Sequence, residues 1–139
     1  MEFSYPDNLY YKNMIEWVNS YDENLWSNLE RVPHLEPHVS RAILSGFLEL
    51  ACQCQNEGNI LSGKHGILSL PRNWTLEHIE ELAEPLLVLE DDWEWWRLME
   101  VYDSLDEELA RKLALRSISH PHHNIKEIGQ TYLERKEVG

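Results

Sequence analysis

Between Asp91 and Asp106 the chain reads DDWEWWRLMEVYDSLD, and this stretch has little freedom in what it can form. Trp95, Leu98, Met99, Tyr102 and Leu105 recur every three or four positions, the pattern of an amphipathic helix with one buried stripe. Asp91 and Asp92 stand where a carboxylate can accept the unpaired amide hydrogens of a first helical turn. At about 100° per residue, Trp93 and Trp96 fall outside that stripe, among Arg97, Glu100 and Asp103. Two tryptophans on a charged face call for a partner, either another helix of the chain or another molecule.

The same period runs through most of the chain. A first helix is expected from Asp7 or Asn8, just after Pro6, carrying Leu9, Tyr10, Met14, Trp17 and Val18. A break near Ser20 to Asp22 separates these from Tyr21, Leu25, Trp26 and Leu29. Pro33 and Pro37 push the residues before them out of helical geometry, so 31–37 reads as a break and Pro37 as the first turn of the next helix. That helix shows a stripe of Val39, Ala42, Ile43, Gly46, Phe47, Leu50 and Cys54, with Leu44 and Leu48 on another side. Apolar over so much of its surface, it reads as a central helix, and Gly46 would let a neighbour approach closely.

Gly58, Gly63, Gly66 and Pro71 make 57–73 read as a loop, pinned by Ile60, Leu61, Ile67 and Leu68, with room for a short hairpin. Thr75 then caps a helix facing Leu76, Ile79, Leu82, Ala83, Leu86 and Leu87 inward, which Pro85 should kink or end at Glu84. After the tryptophan-rich helix, Asp106 caps 107–117, burying Leu109, Leu113 and Ile118. SHPHHN makes a turn, and a last helix carries Ile125, Ile128, Gly129, Tyr132 and Leu133. The expectation is an all-α chain of about six helices in antiparallel pairs, forming a single helical domain over 1–139.

The segment IKEIGQTYL, residues 125–133, resembles the second helix of a HEAT-type repeat: an aliphatic residue, a basic one, a small residue three positions later and then leucine. The preceding helix from Asp106 and the turn at Pro121 are similar to that unit's first half. The likeness covers one helix pair. It implies a layered array of antiparallel helices, a scaffold generally used to bind other proteins, and brings no catalytic residue with it.

Charge narrows the classes of partner. A formal net charge of −13 argues against nucleic acid or an anionic membrane as ligand, since both need a cationic face. No basic segment followed by an apolar run opens the sequence, and no stretch approaches the roughly 18 apolar residues of a membrane span, so a cytoplasmic setting is expected. Cys52 and Cys54, read as helical, would point about 200° apart, poorly placed for a disulfide.

Several patterns imitate chemistry without completing it. Residues 58–65 (GNILSGKH) have the spacing of a phosphate-binding loop, but His65 stands where a magnesium-binding Ser or Thr belongs, so an ordinary glycine loop is expected. His34 and His38 flank Pro37, which disrupts the helix that would align them. His120, His122 and His123 crowd one turn without the second ligand pair of a zinc site. No nucleophile elbow, HExxH or other catalytic set is present. The expectation is no catalytic residue, no metal and no cofactor; the rival class is an enzyme or metal-binding protein using the histidine turn.

What rises above background is charge segregation. Between Glu77 and Glu108 the only lysine or arginine is Arg97, and past Leu109 bases return. Helix polarity accounts for part of this. The remainder leaves an acidic region with Trp93 and Trp96 inside it, an arrangement closer to an interface hot spot than to a plain solvated face. The expected function is non-enzymatic binding of another protein, with a basic surface, through Asp91, Asp92, Trp93, Glu94, Trp96 and Glu100. An inhibitor or immunity-type protein that neutralises a basic enzyme is the sharper form; a homodimer through the tryptophans is a structural alternative.

Overall fold

A computed structural model describes residues 9–53 and 56–138. Among these residues the chain is all-helical, with seven α-helices, one 3₁₀ segment and no strand. No described helix is long and apolar enough to cross a membrane. The expected domain 1–139 consists of two compact units, Met1–Ala83 and Glu84–Gly139. The expected first-helix start at Asp7 or Asn8, the side chains of Leu9 and Tyr10, and Cys54 lie outside what the structure describes.

In the first unit, α1 (Leu9–Asn19) is followed by the 3₁₀ segment Leu25–His34. The break falls where Ser20 to Asp22 predicts it, and Asn24 completes the turn in the left-handed region (φ 58°). The Asn19 side-chain carbonyl accepts the Trp26 amide hydrogen at 2.8 Å. Leu25, Leu29 and Val32 line the buried side of the 3₁₀ segment, which kinks at Asn28 (φ −139°, ψ 47°); Pro33 lies within its second part, and the backbone becomes extended at Leu35.

Pro37 does open α2 (Pro37–Ala51), but the buried ridge is rotated from the expected stripe. Ile43 and Phe47 belong to it. Leu44, Leu48, Ser40 and Ala51 are also buried, whereas Val39, Ala42 and Leu50 are only partly covered. A helix apolar on several sides is oriented by its neighbours, here the 3₁₀ segment and α3. Gly46 acts as expected: the Trp17 indole of α1 occupies the space a β-carbon would need.

The glycine-rich stretch corrects the sequence reading outright. It is a helix, α3 (Glu57–Ser69), with no loop or hairpin within it. Asn56 caps it, its side-chain oxygen accepting the Asn59 amide hydrogen at 3.0 Å. The would-be phosphate loop therefore lies inside regular helix. Gly63 and Gly66 share one face and are buried against α2. A β-carbon on Gly63 would come within 2.5 Å of the Ala51 nitrogen and 2.6 Å of the Phe47 carbonyl oxygen; one on Gly66 would meet the Phe47 ring at 2.9 Å. Each glycine costs about 1 kcal/mol in helix propensity, less than the burial that close helix packing returns.

The next helix, α4 (Arg72–Val88), starts earlier and ends later than expected. Thr75 is buried within it rather than capping it, its hydroxyl donating to the Pro71 carbonyl at 3.0 Å. Pro85 does not end the helix at Glu84: it removes one amide donor but leaves regular helix to Val88. Within the first unit Arg41 of α2 reaches Glu81 with two hydrogen bonds, at 2.8 and 3.3 Å.

The second unit is built on α5 (Asp92–Leu105), α6 (Glu107–Ile118) and α7 (His123–Val138), each packed against the other two. All of Trp95, Leu98, Met99, Tyr102 and Leu105 are buried, as their spacing predicts. Asp106 makes the corner between α5 and α6 alone: its amide hydrogen goes to the Tyr102 carbonyl and its carboxylate accepts from the Leu109 amide. The small residues Ala110, Ala114 and Ser117 form a fully buried stripe on α6, and Gly129 of α7 lies against it.

These close contacts give a test. Alanine at Gly63 would gain about 1 kcal/mol of helix propensity but lose about 1–3 kcal/mol to overpacking against backbone that has nowhere to move. Gly63→Ala and Gly129→Ala should therefore lower the midpoint of denaturant unfolding. A rise in midpoint for either would show that the helices do not approach as described.

Candidate functional site

Asp91 is the cap of α5 that its position predicts. Its Oδ1 accepts the amide hydrogens of Trp93 at 2.9 Å and Glu94 at 3.2 Å. Asp92 is already in the first turn, where a negative charge complements the helix dipole. Ahead of them, Glu90 takes a left-handed conformation (φ 55°), and Val88 and Leu89 at this corner are each 68% exposed.

Trp95 fixes how α5 is rotated. It is 1% exposed, and its indole N–H donates to the Leu87 carbonyl at 3.3 Å. His120 packs edge-on against its ring at 5.4 Å, and the Arg116 guanidinium lies 5.7 Å from its centroid. Arg116 in turn makes two hydrogen bonds to Glu84, at 2.6 and 2.9 Å, which hold the Glu84 carboxyl below its ordinary range.

With Trp95 inward, Trp93 and Trp96 turn toward the α7 side. Trp93 is 54% exposed, and Trp96 is half-buried. Together with Asp92 they line one wall of a groove of about 460 Å³, whose other wall is Asn124, Glu127, Ile128 and Thr131 of α7. Those four residues follow the i, i+3, i+4, i+7 spacing of one helix face. Among the described residues, Trp17, Trp26, Trp74 and Trp95 each have an aromatic or histidine ring beside them; Trp93 and Trp96 have none.

The expected site residues are thus sorted by the structure. Asp92, Trp93 and Trp96 meet at the groove. Glu100 is near the same side of α5 but is bonded to Arg97, at 2.9 Å. Asp91 is occupied in capping. Glu94 lies on the other flank of α5, by helical geometry beside the buried Val101. Its Oε2 is buried without a hydrogen-bond partner, and burial, then the charge of Asp91, pushes its carboxyl above the ordinary value.

Glu127, Asn124 and Thr131 are groove residues that sequence reasoning missed. Their common face on α7 was legible; which helix that face would meet was not.

Of the histidine turn only His120 is packed, against Trp95, while His122 and His123 are exposed. The His120 Nδ1 accepts the His122 amide hydrogen at 2.9 Å, and its Nε2 is 3.8 Å from Glu90. His34 closes the 3₁₀ segment and His38 is exposed on α2. Among the described residues no three of His, Cys, Asp or Glu converge as a metal site would need.

A larger open groove of about 600 Å³ between α6 and α7 is lined by Glu107, Glu108, Arg111, Tyr132 and Lys136, among others. Its charges are mixed, and its aromatic residue, Tyr132, is buried and donates to Asp103 at 3.1 Å. Burial and that hydrogen bond push the Tyr132 phenol up to about 12.

Two predictions concern α5. Trp95→Ala should cost about 3–5 kcal/mol of stability through the cavity it leaves, and Trp93→Ala no more than about 0.5 kcal/mol. Equal losses on unfolding would place Trp93 in the core. Glu94 holds its proton more tightly folded than unfolded, so its contribution is most favourable below pH 4.5 and is lost as pH rises through the folded value. Glu94→Gln should therefore raise the melting temperature at neutral pH, with the gain shrinking as pH falls through the folded value and gone below about 4.5. A gain independent of pH would show that burial of the charge is not its cause.

Compared with protein-family models, curated proteins and solved structures, the chain matches none.

Proposed function

We propose that this chain is a non-enzymatic, cytoplasmic protein-binding module that engages a basic partner through the acidic, tryptophan-bearing side of α5. The observation that carries the reading is the contrast among the tryptophans: Trp93 and Trp96 alone lack a ring neighbour among the described residues, and Trp93 is more than half exposed. Leaving an indole in water forgoes burial worth several kcal/mol, a cost that a bound partner recovers. Val88 and Leu89 at the preceding corner are exposed as well.

Charge supports the same reading. Asp92 and Glu127 flank the groove, and among the described residues that line it none is a lysine or arginine. The formal net charge of −13 adds a field that steers a cationic partner. In its sharper form the module is an inhibitor or immunity-type protein, covering a basic enzyme by electrostatic complementarity. The α6–α7 pair, with its HEAT-like segment at 125–133, serves in this reading as one layer of an antiparallel helix scaffold that holds α5 in place.

Affinity capture from the native host with wild-type protein should recover a basic protein. Trp93→Ala or Trp96→Ala should weaken that complex by about 2 kcal/mol or more, roughly thirtyfold in Kd. Asp92→Lys should chiefly slow association, with the penalty shrinking as salt is raised. A partner held equally well by both tryptophan variants would overturn the reading, and a concentration-dependent dimer lost in Trp93→Ala would replace it with self-association.

A further inference from the structure

We propose that the α5–α7 groove receives an arginine side chain of the partner, its guanidinium stacked on the Trp93 indole and hydrogen-bonded to Asp92 and Glu127. The proposal rests on the reading of this side of α5 as a partner-binding surface and names what enters it. Of the groove's lining residues, Asp92 and Glu127 are anionic, Trp93, Trp96 and Ile128 apolar, and the remaining two neutral hydrogen-bonding residues. The bases nearest in sequence are drawn elsewhere or only weakly engaged: Arg97 bonds Glu100 at 2.9 Å, and His123 stands 3.9 Å from Glu127 with its side chain 88% exposed. Lys126 is exposed on α7 outside the lining. The groove thus holds two carboxylates and an indole, with no cation among the described residues that line it.

Size and shape decide between cations. A groove of about 460 Å³ lies in the lower half of the range of ligand sites, with room for a long side chain and its water. A guanidinium is planar: it can lie on an aromatic ring while its N–H groups donate in the plane to carboxylates on either side. A lysine ammonium is a strongly hydrated point charge that gains less from the same arrangement. Walls that offer an indole on α5 and carboxylates on both helices fit the first chemistry better than the second.

The test uses the full chain and short capped peptides in which a single arginine, lysine or citrulline is flanked by neutral residues. Indole N–H resonances of Trp93 and Trp96, assigned from Trp→Phe variants, are followed by NMR during titration. The arginine peptide should shift both resonances saturably. Citrulline, which keeps the shape but lacks the charge, should bind at least about fivefold more weakly, with lysine in between. Trp93→Ala and Glu127→Gln should each lower arginine-peptide affinity by about threefold or more.

Citrulline binding as well as arginine, or shifts confined to residues away from the groove, would overturn the assignment. If a captured basic partner depends on Trp93 while the arginine peptide ignores the groove, the arginine assignment fails and the protein-binding reading stands. If the peptide saturates the groove while the partner is indifferent to Trp93 and Trp96, the binding reading fails and the groove chemistry stands.

Discussion

Burial of Trp95 is the interaction on which the second unit depends. A large side chain that is 1% exposed leaves α5 only one rotation about its axis, and the hydrogen bond from its indole to Leu87 fixes the end of α4 to it. His120 and Arg116 pack on the same ring, so the α6–α7 turn and the last turns of α6 are set by one residue. The position of Trp93 and Trp96 follows from helical geometry once Trp95 is placed. The candidate site is a consequence of the core rather than an addition to it.

Charge contributes in a different way. The bonds between Glu84 and Arg116 and between Arg41 and Glu81 join partly exposed side chains. Such pairs contribute about 0–1 kcal/mol, so apolar burial and close helix contacts hold each unit, and the ion pairs refine its surface. The acids left unpaired cost little where water solvates them and repel one another modestly.

Each unit contains helices brought close by small residues. Gly63 and Gly66 let α2 and α3 approach, and Gly129 lies against the Ala110, Ala114 and Ser117 stripe of α6. On α7 the buried residues face α5 and α6 while Asn124, Glu127 and Thr131 remain to line the groove. Tyr132 and Lys136 meet Asp103 of α5, which anchors the far end of α7 to the same helix. The groove is therefore bounded by two helices that are also joined beyond it, at Asp103.

What the sequence alone determined is the helical character of the chain and the buried stripe of α5. Periodicity in Trp95, Leu98, Met99, Tyr102 and Leu105 is local information, and so are the caps at Asp91 and Asp106. Glycine misled because its local cost is visible in sequence while the helix packing that offsets it is not, and α3 was hidden for that reason. The ridge of α2 was misplaced because a helix apolar on several sides is rotated by its neighbours. Only the tertiary structure decided that Glu127 joins Asp92 across a groove. Spacing fixes which residues share a helix face; the packing of one helix on another decides what that face meets.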